Sequence, residues 1–105
     1  MLITTANDLP GHQITEVLGE VFGLTIRSRN LGSQIGANLK SIIGGELHGM
    51  TKNLVESRNL AMSRMVEEAA SKGGNAIVAM RFDTSEMGAN WTEVCAYGTA
   101  VKIAG

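Results

Sequence analysis

Residues 51–72 carry a long helical pattern that stops at Gly73-Gly74, and two strand patterns follow at once, at 75–86 and 91–103, separated only by the tetrapeptide MGAN. On the helix, Leu54, Val55, Ala61, Met62, Met65, Val66 and Ala69 recur at helical spacing and make one broad apolar face. The glycine pair ends it by supplying positive φ where a side chain would clash. A long helix joined to a hairpin predicts that one face of the hairpin buries itself against the helix, in a two-layer α+β domain.

The residues before the helix fit the same plan. QITEVLGEVFGLTIR, 13–27, is rich in Val, Ile, Thr and Phe and predicts one long strand, in which Gly19 and Gly23 mark a bulge, a bend or a close backbone approach. MLITT predicts a short edge strand, followed by the turn-prone NDLPG at 7–11. GSQIGANLKSII, 32–43, places Ile35, Leu39, Ile42 and Ile43 on one stripe and predicts a short helix stopped by Gly44-Gly45. ELHGM then reads as a loop. Residues 1–105 make a single domain.

Alternation divides the strands into two faces. Val17, Gly19, Val21 and Gly23 are small and apolar, and Val94, Ala96, Gly98 and Ala100 repeat that character in the last strand. Ala76, Val78, Met80 and Phe82 form the corresponding apolar set in the first hairpin strand. Small residues suit close packing by a helix, so these positions are expected to face it. Leu18, Phe22, Trp91, Cys95 and Tyr97 then fall on the opposite face, interspersed with Glu16, Glu20, Arg81, Asp83 and Glu93. Such a face is too apolar to leave in water, and association with further copies of the chain is expected to cover it. A chain of this length has a modest core, which points the same way.

Composition removes several function classes. Nine Lys and Arg against ten Asp and Glu give a net charge of −1, and the basic residues form no run, so neither a nucleic-acid nor an anionic-membrane footprint is expected. No apolar run approaches the ~18 residues of a membrane span. One cysteine makes no intrachain disulfide, and the N-terminus lacks the pattern of a signal peptide, so a cytoplasmic setting is expected.

Four segments in order carry a resemblance: ITEVLGEVFG at 14–23, SIIGGEL at 41–47, RNLAMSRMVEEAASKGGNAIV at 58–78 and EVCAYGTAVKI at 93–103. Together they resemble the YbjQ-like family of small bacterial and archaeal proteins, sometimes labelled heavy-metal-binding, over nearly the whole chain. That resemblance implies a β-α-β-β unit with antiparallel sheet order 1-3-2, similar to a dodecin subunit, assembled as a cyclic homopentamer with the Cys95 strand central. Met50 and Gly74 depart from the family pattern, which usually has an aromatic residue and an alanine at these positions. The middle position of EVxAYGTAV varies in the family, so a family-wide function does not depend on Cys95.

The chemistry-bearing residues are sparse. The family label invites a divalent or heavy-metal ion, and zinc or a soft heavy metal wants about four Cys or His ligands, usually with two closely spaced. His12, His48 and Cys95 offer no such pair. In a ring, symmetry brings copies of one residue together, which leaves Cys95, Glu93 and His48 as candidate ligands of an assembly-dependent site. The competing reading of Cys95 is a small apolar side chain packed in an interface. Nucleophilic catalysis needs a nearby cation to release the thiolate, and Glu93 acts in the opposite sense. His48 with Glu46 would serve an unrecognised small-molecule enzyme, and a solvated loop histidine is the commoner outcome. The sequence thus favours a non-enzymatic homo-oligomer, either structural or binding a small ligand of unknown identity, over a metal-binding protein and an enzyme.

Overall fold

A computed structural model describes the backbone of residues 1–28 and 43–104 and the side chains of 1–27 and 51–104. Its elements are β1 (Leu2–Ile3), β2 (Gln13–Ser28), one helix α1 (Ile43–Ser71), β3 (Ala76–Met87) and β4 (Trp91–Ala104). The four strands form one mixed sheet in the order β1-β3-β4-β2. β4 pairs antiparallel with both β2 and β3, whereas β1 adds in parallel to β3 through Leu2 and Ile3. The sheet is therefore four-stranded and mixed, where the resemblance implied three antiparallel strands.

Local chemistry sets the connections. Leu9-Pro10-Gly11-His12 closes a turn in which the His12 amide donates to the Leu9 carbonyl at 2.9 Å, with Gly11 at φ 87°. Proline pre-sets the first central position and glycine alone takes the second without strain. α1 ends in a Schellman motif: the Gly74 amide donates to Ala69 and the Gly73 amide to Ala70, both at 2.9 Å, with Gly73 at φ 86°. Asn75 then bonds both ways with the last strand, donating to the Ile103 carbonyl and accepting from the Ile103 amide. Its amide side chain acts as an extra ladder rung.

The helix differs from expectation at its start. Gly44-Gly45 does not stop a helix, because α1 begins at Ile43 and continues through both glycines and through 46–50, the segment read as a loop. Gly44 and Gly45 fall in the first turn of α1 and Gly49 lies further in, and a glycine inside a helix costs about 1 kcal/mol, an amount that packing of a long helix offsets. The short helix expected over 32–43 lies almost entirely outside the described residues.

Ser57, Ala61, Met65 and Ala69, spaced by four, are fully buried against the sheet. Ala61, Met65 and Ala69 make the main core with Val21, Ile77, Met80, Val94, Ala96 and Ala100. Thr25, also buried, donates its hydroxyl to the Ser57 carbonyl at 3.1 Å, so the polar groups at this contact satisfy each other. A Cβ at Gly23 would collide with the Ala61 carbonyl oxygen and the Met65 amide. Glycine there is what lets the helix lie directly on β2.

Three irregularities rearrange the faces. In β2, register shifts fall at Ile14/Glu16 and at Val17/Gly19, the second with Gly19 at φ 107°. They turn Leu18 into the main core and leave Val17 67% exposed, the reverse of simple alternation. Glu16 likewise lies opposite Lys102, with an ion pair at 3.8 Å. In β3 the shift between Val78 and Arg81 sets Ala79, at φ 54°, and Met80 opposite the single Gly98. Ile77, Met80 and Phe82 consequently face the helix, while Ala76 and Val78 join a second cluster with Val101, Leu9, Ile14 and Ile103. That cluster occupies the other side of the sheet, where Leu9 of the N-terminal turn covers it.

Candidate functional site

Beyond that second cluster, the sheet face turned away from α1 has no layer over it among the described residues. The registers align its side chains in rows: Phe22–Tyr97–Arg81, Leu24–Cys95–Asp83 and Ile26–Glu93–Ser85, with Trp91 opposite Met87 at the hairpin end. The helix-facing residues between them, Val94 and Ala96, are buried, so the expected division of β4 into two faces holds. Trp91 and Ile26 remain about half exposed, at 50% and 52%, and Phe22, Met87 and Tyr97 little less so. Ile26, Met87, Gly88 and Trp91 line a wide apolar concavity of about 700 Å³. Leu24, Ile26 and Met87 extend the face beyond the residues singled out from sequence. The signal for the first two was the even-numbered alternation of β2 after Gly19.

Cys95 sits in the middle of this face, half-buried and unpaired. Partial burial pushes its thiol above the usual value, and the carboxylates of Glu93, Asp83 and Glu20 push it further in the same direction. The thiol therefore keeps its proton at neutral pH, which disfavours both nucleophile and metal ligand in the isolated subunit. Alkylation of Cys95 by iodoacetamide is expected to rise with pH about a midpoint above the ~8.5 of a free cysteine. A midpoint below that value would reveal a cation beside the sulfur. The same shift acts on stability: the folded state holds this proton longer than the unfolded chain does. The thiol's contribution is thus complete below its unfolded pKa and is lost as pH rises from there through the folded pKa.

The candidate ligands are not brought together. Glu93 and Cys95 share a face, two residues apart on β4, whereas His12 is exposed at the turn preceding β2. The side chains of Glu46 and His48 lie outside the described residues. Among the described residues no group of three or more His, Cys, Asp or Glu is placed to hold a metal ion. The family label thus finds no single-chain donor set in the described part of the molecule.

On the helix side, Arg58 stacks over the Phe82 ring at 4.7 Å from its centroid, at the border of a cleft of about 340 Å³ lined also by Thr51, Leu54, Val55, Thr84 and Val94. No helix among the described residues is long and apolar enough to cross a membrane.

Comparison with known proteins matches residues 1–104 to the family model YbjQ_1, described as "Putative heavy-metal-binding". A UPF0145 protein of Acidothermus cellulolyticus is 65% identical over 103 residues, covering 98% of this chain and 95% of the relative. One from Streptomyces coelicolor is 65% identical over 104 residues, covering 99% and 98%. A UPF0145 protein of Lactococcus lactis is 57% identical over 103 residues, covering 98% and 94%. Among solved structures, a protein of unknown function of the DUF74 family from Pediococcus pentosaceus aligns over 99% of this chain and 98% of its own, with a TM-score of 0.56. At 20% identity that likeness establishes a shared fold alone.

Proposed function

Since the chain belongs to the YbjQ family, matched from residue 1 to 104, we propose that it acts as a non-enzymatic homo-oligomer, a ring of five, that is either structural or holds a small ligand between subunits. The observation that carries this reading is the face bearing Phe22, Leu24, Ile26, Trp91 and Tyr97, which no described residue covers. Its residues project from neighbouring strands as one contiguous apolar patch, of the kind that marks an interface. The modest core supports it: among the described residues the largest fully buried side chains are Met65, Ile77, Val21, Val101 and Ser57. The ring of five rests on the family resemblance. The unpaired cysteine accords with a reducing, cytoplasmic compartment.

Light scattering and native mass spectrometry test this together, since one reports the mass and the other any retained ligand. The expected mass is about five times that of the subunit, from a closed ring. A clean monomer at micromolar concentration would sink the proposal.

The family description supports a second reading, in which copies of Cys95 and Glu93 meet across the assembly and bind a heavy metal. Binding would have to overcome the raised thiol pKa by releasing its proton to the metal. Elemental analysis of the purified protein and of Cys95→Ser decides it. Metal near one ion per ring or per subunit, lost in the variant, is the expected result. Equal traces in both proteins dispose of it.

A further inference from the structure

Among the described residues β2 lies at the edge of the sheet, with β4 on one side and no strand on the other. An edge of this kind presents unpaired amides and carbonyls that template the addition of another strand. On β2, one backbone group at each of three alternate residues is occupied by a side chain of α1. Arg64 Nη1 donates to the Leu24 carbonyl at 2.6 Å, the Phe22 amide donates to Glu68 Oε2 at 3.3 Å, and Lys72 Nζ donates to the Glu20 carbonyl at 3.0 Å.

The match is geometric and chemical at once. Four helix residues rise about 6 Å, and two strand residues about 6.6 Å, so side chains one helical turn apart meet every second residue of a strand running alongside. The order cation, anion, cation answers the order carbonyl, amide, carbonyl. Glu68 and Lys72 also pair with each other at 3.5 Å, which holds both over the edge. The close seat of α1 on Gly23 brings the helix near enough for these side chains to reach.

We propose that Arg64, Glu68 and Lys72 form a guard that closes the β2 edge to strand addition by a second copy of this chain. An incoming strand can use the Glu20 and Leu24 carbonyls and the Phe22 amide only by displacing these three side chains. The guard concerns the edge of the sheet rather than its uncovered face, so it stands or falls apart from the oligomer proposed above. It restricts association to surfaces other than this edge.

The test is the triple variant Arg64→Ala/Glu68→Ala/Lys72→Ala, in which alanine preserves the helix. At a temperature well below melting, with a far-UV spectrum like that of wild type, it is expected to shift toward higher-mass species as concentration rises. An infrared signal of intermolecular strands should accompany that shift. The companion Arg64→Lys/Glu68→Gln/Lys72→Arg keeps the donors and acceptors in place and is expected to match wild type. Phe22 provides a readout independent of association, because Glu68→Ala alone should speed exchange of its amide proton. Mass distributions of the triple alanine variant that follow wild type at every concentration would overturn the proposal. So would a companion that associates equally, or a Phe22 amide indifferent to Glu68.

Discussion

Replacing Gly23 by alanine is expected to destabilise the protein by about 3 kcal/mol or more, a large share of the ~5–15 kcal/mol of a typical domain. The added methyl meets backbone on the facing helix, the Ala61 carbonyl and the Met65 amide, and a backbone cannot rotate away. Relief requires α1 to lift off β2, which would open the contact between Thr25 and Ser57 and unseat Met65. Two other glycines calibrate the claim. At Gly98 the nearest atom to an added Cβ is the Ile77 Cγ2 methyl at 2.8 Å, followed by the Val78 carbonyl at 3.0 Å, so part of the clash can be relieved by a side chain. Gly98→Ala should cost about 1–2 kcal/mol. Gly19 has nothing within 4 Å, and its φ of 107° is the sole obstacle, so Gly19→Ala should cost about 1 kcal/mol from backbone strain. Urea midpoints of the three variants test the order Gly23, Gly98, Gly19. A Gly23 variant no worse than the Gly19 variant would mean that α1 does not lie where it is described.

Placing aspartate at both Ile26 and Trp91 is expected to weaken self-association by about 100-fold or more, as removal of central apolar anchors does in other interfaces. Both side chains are half-exposed in the single subunit, so the substitutions remove little of its own core. The face already carries Glu20, Asp83 and Glu93, and two further carboxylates would have to be buried beside them with Arg81 as the one cation in these rows. Arg81 is engaged elsewhere, donating to the Thr5 and Met80 carbonyls at 2.8 Å. Sedimentation of the double variant across a concentration series should show smaller species than wild type, with an unchanged melting profile at high dilution. An unaltered distribution would place the interface elsewhere.

Much of this architecture is legible in the chain. The boundaries of β2, β3 and β4 follow from runs of β-branched and aromatic residues bounded by glycine and asparagine, and the end of α1 from Gly73-Gly74. The division of β4 into a small buried face and a face bearing Trp91, Cys95 and Tyr97 follows from alternation, because β4 itself contains no bulge. β2 and β3 resist that reasoning. Leu18 and Val17 exchange faces, and Ala76 and Val78 part from Met80 and Phe82, because a single inserted residue reverses every side chain beyond it. Gly19 hinted at its bulge. Ala79 did not, since alanine carries no sequence mark of positive φ. Gly44-Gly45 misled in the opposite sense, because a glycine pair stops a helix only when the residues beyond it lack reason to continue one. The roles of Arg64, Glu68 and Lys72 carry no sequence mark, since their partners are backbone groups of another element.

The bulge at Ala79 and Met80 also gives the molecule a stiff end and a soft one. On the β1 side of it the sheet is sandwiched, with α1 below and the Leu9 turn above. On the hairpin side it ends in Trp91 and Met87, and no described residue covers its second surface. Thermal motion in the free subunit should therefore grow along the strands toward the hairpin, and whatever covers that end would be adding rigidity to the part of the protein that has least of its own.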